Sequence, residues 1–167
     1  MARVYVSIGS NIDPHQHIRG AVATLRTRFG QLALSPVYES EAVGFHGANF
    51  LNLVVAFDSD QAPQRIVDEL HDIEDQHGRR RDGPQFSSRT LDLDLLLYDD
   101  LVLSDGGLEL PRAEITSNAF VLRPLADLAP GLRHPQLGHS MAQLWDGFDQ
   151  ASQSLWPIAF DWTNAAT

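Results

Sequence analysis

The sequence has 167 residues, of which 43% are apolar and none is cysteine. This length and apolar content are sufficient for one hydrophobic core, so we expect a single domain over 1–167, while disulfides and thiolate metal sites are excluded. The net charge of −10 argues against non-specific nucleic-acid binding, which needs many cationic phosphate contacts. All 12 basic residues are arginine, which excludes lysine-dependent phosphate loops and the strand lysine of a protein kinase.

Hydrophobic periodicity through residue 98 predicts two helices and four strands in the order β-α-β-β-α-β. The predicted strands cover 3–8, 32–40, 50–57 and 89–98, and the predicted helices cover about 14–29 and 63–77. Pro14 suits the first position of a helix, and Gly30 suits its end. This order is the ferredoxin-like α+β arrangement, an antiparallel sheet with both helices on one face.

The remaining third of the chain is predicted to extend this fold as a C-terminal extension over the second face of the sheet. A hairpin is expected over 101–110, helices over 118–128 and 141–148, and the tail 149–167 has no clear period. No apolar run reaches the roughly 20 residues that a spanning helix needs. The first residues lack the pattern of a signal peptide. We therefore expect a cytoplasmic protein that does not bind membranes.

Asp92 and Asp94 are the strongest chemical signal in the sequence. Residues two apart in a strand point to the same face, so the two carboxylates converge while Leu91, Leu93 and Leu95 pack on the other face. Close carboxylates repel each other when both are ionised, and a magnesium ion that also binds substrate phosphates removes that conflict. The alternative is a strand with a solvated acidic face.

Other polar residues allow a functional and an ordinary interpretation. Arginines at 79–81 and Arg89 bracket one loop and could bind phosphates, or could form a solvated turn at a helix end. The turn at 9–11 could bind phosphate or simply connect two elements. Asn52 could read the edge of a heterocycle, or face water from a half-buried strand.

Several runs together resemble the 6-hydroxymethyl-7,8-dihydropterin pyrophosphokinases of folate synthesis, over about residues 3–148. The runs that carry the resemblance are Ile8-Gly9-Ser10-Asn11, Asn49-Phe50-Leu51-Asn52, Glu74 with Gly78, Arg79 and Arg81, Arg89-Thr90-Leu91-Asp92-Leu93-Asp94-Leu95-Leu96, Pro111, Phe120, and 123–130. The resemblance implies a ferredoxin-like α+β fold. It also implies transfer of the β,γ-pyrophosphoryl group of ATP to the pterin hydroxymethyl oxygen, with release of AMP.

The resemblance also assigns residues. Two magnesium ions would bind Asp92 and Asp94, and Asp94 or water on its metal would help to remove the hydroxyl proton. The residues expected to bind ATP are Glu74, Arg79, Arg81, Arg89 and Leu95, with Arg112 as a further candidate. Those expected to contact the pterin are Ser40, Val43, Asn52, Phe86, Asp92 and Phe120. The catalytic group would be Arg79, Arg81, Arg89 and Asp94. The expected partners are ATP and a pterin alcohol, with no nucleic acid, membrane or obligate protein partner.

The sequence departs from the family pattern near the triphosphate. Pro111-Arg112-Ala113 stands where Pro-His-Tyr is usual, and Asn118 stands where an arginine is usual. Phe86-Ser87-Ser88 replaces a frequent Trp-Gly-Pro. Loss of one charge-assisted phosphate contact costs about 1.5–3 kcal/mol. Arg112 could replace part of the lost charge. The alternative function is a divergent paralogue that binds a pterin with altered substrate or without turnover.

Overall fold

The computed structural model describes residues 1–41, 47–78 and 90–163. The strands are β1 (Ala2–Ser10), β2 (Ala33–Leu34), β3 (Val37–Ser40), β4 (Phe50–Ser59), β5 (Asp92–Tyr98), β6 (Leu103–Asp105), β7 (Leu108–Leu110) and β8 (Leu155–Ile158). The helices are α1 (Pro14–Phe29), α2 (Pro63–Gln76), α3 (Glu114–Ser117), α4 (Ala119–Leu128) and α5 (Met141–Asp146), with a 3₁₀ turn over Gln150–Ser152.

The main sheet has the strand order β5-β1-β4-β3-β8, and β2 also pairs with β4. All of these pairs are antiparallel. Strands β6 and β7 form the separate hairpin that the sequence predicts. The predicted α+β fold is confirmed, and β1 and β4 lie at the centre of the sheet with the longest register.

Two apolar clusters cover the two faces of the sheet. On the first face, Ile18 and Leu25 of α1 and Ile66 and Leu70 of α2 pack against alternate residues of the central strands. On the second face, helices α3, α4 and α5 pack over the sheet, with Leu122 of α4 fully buried. The C-terminal third therefore lies on the second face, as predicted.

Local chemistry explains where two elements end. Helix α1 begins at Pro14 and ends at Gly30, whose φ of 86° is costly for any residue with a side chain. The predicted strand 32–40 is divided into β2 and β3 at Ser35 and Pro36, where Pro36 has no N–H to donate to the ladder. The Ser35 hydroxyl accepts the Val54 N–H at 2.8 Å, which keeps that buried donor satisfied.

The tail adds a strand that periodicity does not predict. Strand β8 pairs with β3, and Phe160 then stacks on His15 of α1 with ring centroids 5.1 Å apart. The Arg19 guanidinium donates to the Asp161 carbonyl oxygen at 3.1 Å. The segment that follows β8 therefore connects the outer strand to the start of α1. Within the described ranges, no helix is both long and apolar enough to cross a bilayer.

Candidate active site

Strand β5 presents Asp92 and Asp94 on the second face of the sheet. Leu91, Leu93 and Leu95 are buried in the cluster on the first face. In the ladder with β1, Asp92 lies opposite Gly9 and Asp94 lies opposite Ser7. The expected alternation is present, and it leaves both carboxylates partly exposed beside the helices of the second face.

Asn52 reaches the same row of the sheet from the other side of β1. Gly9 lies opposite Asn52 in the β1–β4 ladder and opposite Asp92 in the β1–β5 ladder. A Cβ atom at position 9 would lie only 2.5 Å from the Asn52 Oδ1 atom. Glycine is therefore required here because the buried Asn52 amide occupies the space above the strand, on the side where Asp92 lies.

Glu74 supports the strand that carries the aspartates. Its side chain is 2% exposed, and its Oε2 atom accepts the backbone N–H of Leu93 at 2.7 Å. Leu93 is the residue between the two aspartates, so α2 holds β5 at the position where the carboxylates project. The sequence assigns Glu74 to the nucleotide, whereas the described contact is with the protein backbone.

Arg112 lies beside Asp94, on the segment between β7 and α3. Its Nη2 atom is 3.5 Å from Asp94 Oδ1, and its Nε atom donates to Glu114 Oε2 at 2.6 Å. Burial and the neighbouring charge of Asp92 raise the pKa of Asp94 to about 7, and the Arg112 guanidinium acts against that rise. Two neighbouring carboxylates on one strand thus concentrate negative charge where burial limits its solvation.

A cavity of about 180 Å³ opens next to these groups. It is lined by residues that include Leu70, His71, Asp94, Leu95 and Arg112, together with Gly107 of the β6–β7 hairpin. Three of the residues predicted to contact nucleotide or metal therefore line one space: Asp94, Leu95 and Arg112. Polar groups form much of its lining, and Asp94 and Arg112 supply opposite charges that can contact a polar ligand.

Two of the predicted pterin residues that the structure describes, Ser40 and Phe120, lie on the second face with Asn52. Ser40 is buried at the end of β3, where it pairs with Phe50 in the ladder. Phe120 is half-buried in the first turn of α4. Val43, Arg79, Arg81, Phe86 and Arg89 lie outside the described residues.

The sequence did not predict a polar network beneath α4. The Tyr38 hydroxyl donates to an Asp127 carboxylate oxygen and accepts from Arg123 Nε at 3.0 Å. Arg123 also lies over the rings of Tyr38 and Trp145. Burial, first, and the hydrogen bond to Asp127 raise the pKa of Tyr38. The network fixes α4 on the sheet, and no local pattern signals it because its members come from β3, α4 and α5.

The turn at 9–11 connects the edges of the site. The Ser10 hydroxyl donates to the Thr90 carbonyl oxygen at 2.5 Å, and Asn11 Nδ2 donates to the Ala48 carbonyl oxygen at 3.1 Å. Both side chains are buried. Of the two interpretations that the sequence left open, these contacts support a structural connection between β1, the segment before β4 and the start of β5.

The residues present fit a magnesium site that is completed by substrate. Within 1–41, 47–78 and 90–163, no group of three or more histidine or acidic side chains forms a ready-made metal cage. Magnesium commonly binds through one or two carboxylates plus substrate phosphates. The raised pKa of Asp94 also indicates a carboxylate pair that a cation would stabilise.

A family model described as 7,8-dihydro-6-hydroxymethylpterin-pyrophosphokinase matches residues 5–130. The chain belongs to this family. The prediction from the sequence motifs is thereby confirmed, and with it the assignment to pyrophosphoryl transfer in folate biosynthesis. Nothing in the comparisons favours the divergent paralogue.

Curated relatives with the name 2-amino-4-hydroxy-6-hydroxymethyldihydropteridine pyrophosphokinase are similar over most of the pyrophosphokinase chain. The Pseudomonas aeruginosa protein is 41% identical over 143 residues, which cover 82% of this chain and 86% of the relative. The Porphyromonas gingivalis protein is 40% identical over 142 residues, 81% of this chain and 96% of the relative. The Aquifex aeolicus protein is 33% identical over 137 residues, 81% of this chain and 85% of the relative.

Solved structures share the fold. Wild-type Plasmodium falciparum HPPK-DHPS with SDX-DHP has a TM-score of 0.69 and 13% identity, over 87% of this chain. The pyrophosphokinase chain spans 43% of the length of that chain. At this identity the likeness supports the architecture alone.

Proposed function

We propose that the chain transfers the β,γ-pyrophosphoryl group of ATP to the hydroxymethyl oxygen of 6-hydroxymethyl-7,8-dihydropterin, in a magnesium-dependent reaction that releases AMP. The observation that carries this proposal is the position of Asp92 and Asp94. They project from one strand, beside a cavity that Arg112 also lines and across Gly9 from the Asn52 amide. The cavity with Arg112, next to Asp94, suits a nucleotide, and the Asn52 amide, across Gly9 from Asp92, suits a heterocycle.

Asp92 and Asp94 would hold the magnesium ions. When bound, two such ions neutralise triphosphate charge and stabilise the attacking and leaving oxygens of an in-line displacement. We propose from the family resemblance that Asp94 helps to remove the proton of the substrate hydroxyl. Glu74 acts on the pair indirectly by holding the Leu93 N–H.

The pterin-side roles rest on side-chain chemistry and position. The Asn52 amide both donates and accepts, so it can pair with adjacent donor and acceptor atoms on a pterin edge. Phe120 offers an aromatic face at the start of α4 for stacking. We propose Ser40, Val43 and Phe86 as further pterin contacts from the family resemblance.

The phosphate-side roles follow the same resemblance. We propose that Arg79, Arg81 and Arg89 bind the triphosphate, since they bracket the segment between α2 and β5. Guanidinium groups bind phosphate oxygens in pairs and stabilise charge that develops during transfer. Leu95 lines the cavity, and we propose from the same resemblance that it would lie by the nucleotide.

A turnover assay tests this function. The protein is incubated with the pterin alcohol, ATP and magnesium, and AMP and the pyrophosphorylated pterin are separated by chromatography. We expect equimolar products, none after chelation with EDTA, and recovery when magnesium is returned. No product at high enzyme concentration would reject the function, whereas product in EDTA would reject only its metal dependence.

A further inference from the structure

Arg112 is joined to strand β5 through both its backbone and its side chain. Its N–H donates to the Leu96 carbonyl oxygen at 3.0 Å, two residues beyond Asp94. The guanidinium then divides its contacts between Glu114, at 2.6 Å, and Asp94, at 3.5 Å. This backbone hydrogen bond to β5 therefore holds the Arg112 guanidinium beside Asp94, the carboxylate proposed as a magnesium ligand.

The two contacts of the guanidinium are unequal. The separation of 2.6 Å to Glu114 is that of a short charge-assisted hydrogen bond. The separation of 3.5 Å to Asp94 is an ion pair beyond normal hydrogen-bond length. Glu114, in the first turn of α3, thus holds the guanidinium at the edge of the site and keeps it from closing fully on Asp94.

This arrangement has opposite consequences for a free metal ion and for a nucleotide. A divalent cation and Arg112 compete for the same carboxylate, and they repel each other. A triphosphate attracts both, because phosphate oxygens accept hydrogen bonds from arginine and bind magnesium. The side chains of Arg112, Glu114 and Asp94 are each about one-third exposed, so the guanidinium can be reached from the cavity.

We infer that Arg112, restrained by Glu114, makes metal binding at Asp94 conditional on nucleotide. It opposes a divalent ion that arrives alone and favours one that arrives with a triphosphate. This inference rests on the proposed function, because it takes Asp94 as a metal ligand. It assigns Arg112 the role of coupling the two ligands, and Glu114 the role of positioning Arg112.

The test measures binding of Mn²⁺, a spectroscopic substitute for magnesium, with and without a non-hydrolysable ATP analogue. Free Mn²⁺ is followed by electron paramagnetic resonance, and the analogue by calorimetry. In Arg112→Met, we expect Mn²⁺ alone to bind about tenfold more tightly than in the parent protein, and the analogue to bind about tenfold more weakly. The coupling ratio between the two ligands falls accordingly.

Three further variants separate the effect of charge from the effect of position. Arg112→Lys keeps the cation, so Mn²⁺ affinity without nucleotide should stay near the parent value. Glu114→Asp keeps the negative charge but shortens the side chain, which loosens the restraint and lets the guanidinium approach Asp94, so Mn²⁺ should bind several-fold more weakly, the opposite sign to Arg112→Met. Arg3→Met matches the loss of one positive charge near the other end of β1, where Arg3 pairs with Asp58, and should change neither affinity.

The outcomes distinguish this inference from the function on which it rests. Equal Mn²⁺ affinity in the parent and Arg112→Met, with turnover and metal binding intact in the parent, would overturn the coupling role and leave the enzyme function standing. Absence of Mn²⁺ binding to the parent, even with nucleotide, would overturn both, because Asp94 would then hold no metal. Unchanged Mn²⁺ affinity in Glu114→Asp, or a change of the same sign as in Arg112→Met, would overturn the role of Glu114.

Discussion

Replacing Glu74 with alanine should loosen the strand that carries both aspartates. The substitution removes the acceptor of the buried Leu93 N–H, a charge-assisted hydrogen bond of 2.7 Å. The loss of such a bond costs about 1.5–3 kcal/mol. For a domain of this size, that lowers the midpoint of thermal unfolding by roughly 3–12 °C. Turnover should also fall, since Asp92 and Asp94 flank the released amide.

Hydrogen exchange followed by NMR tests the cause directly. We expect the Leu93 amide to lose protection in Glu74→Ala, while the amides shared by β1 and β4 remain protected at the level set by global stability. Glu74→Gln keeps an acceptor and should lose less stability. Asp68→Ala, at an exposed position of the same helix, is the matched control. Unchanged protection at Leu93 together with unchanged unfolding would refute the positioning role.

Three other measurements probe the site and the fold. Asp94→Asn should reduce AMP release by about a hundredfold or more without lowering the midpoint of thermal unfolding, because folding disfavours the charged form of this carboxyl. Asp105→Asn in the exposed hairpin should leave the rate intact. Phe160→Ala should lower the free energy of urea unfolding by about 1–2 kcal/mol, because the ring packs against the apolar cluster on the first face of the sheet. An unchanged value would show that Phe160 adds nothing to stability. Burial lowers the pKa of His134, whose Nδ1 accepts two backbone N–H groups at 3.2 Å. Folding therefore favours the neutral form of His134, so its stabilising contribution is complete above about pH 6.5 and declines as the pH falls below that value. In a His134→Asn variant, the free energy of unfolding should fall less steeply at acidic pH. An unchanged pH dependence would contradict the assignment.

Most of the fold could be predicted because its signals are local. The alternation at 91–95 identified which side chains enter the core, and Pro14 and Gly30 identified the limits of α1. The tail was missed for a physical reason. Strand β8 contains Pro157 and is only half-buried, so it has no clean alternation, and pairing with β3 decides its conformation.

The sequence predicted which residues belong to the site better than it predicted which contacts they make. The motifs named Glu74 as a nucleotide residue, which stays a prediction, and the fold adds a hydrogen bond to the backbone of Leu93, 19 residues away. Arg112 was named as a phosphate ligand, and its pairing with Asp94 and Glu114 emerges only in the folded chain. The roles of Val43 and of the arginines at 79, 81 and 89 stay predictions, since they lie outside the described residues.

By itself, the sequence determined that Asp92 and Asp94 share one face, because residues alternate across a strand regardless of what surrounds it. It also determined the family, because specific motifs recur in a fixed order. Only the tertiary structure decided what meets that face: Asn52 across Gly9, and Arg112 beside Asp94. Those contacts depend on strand register and helix packing, which join residues far apart in the chain and which no local pattern encodes.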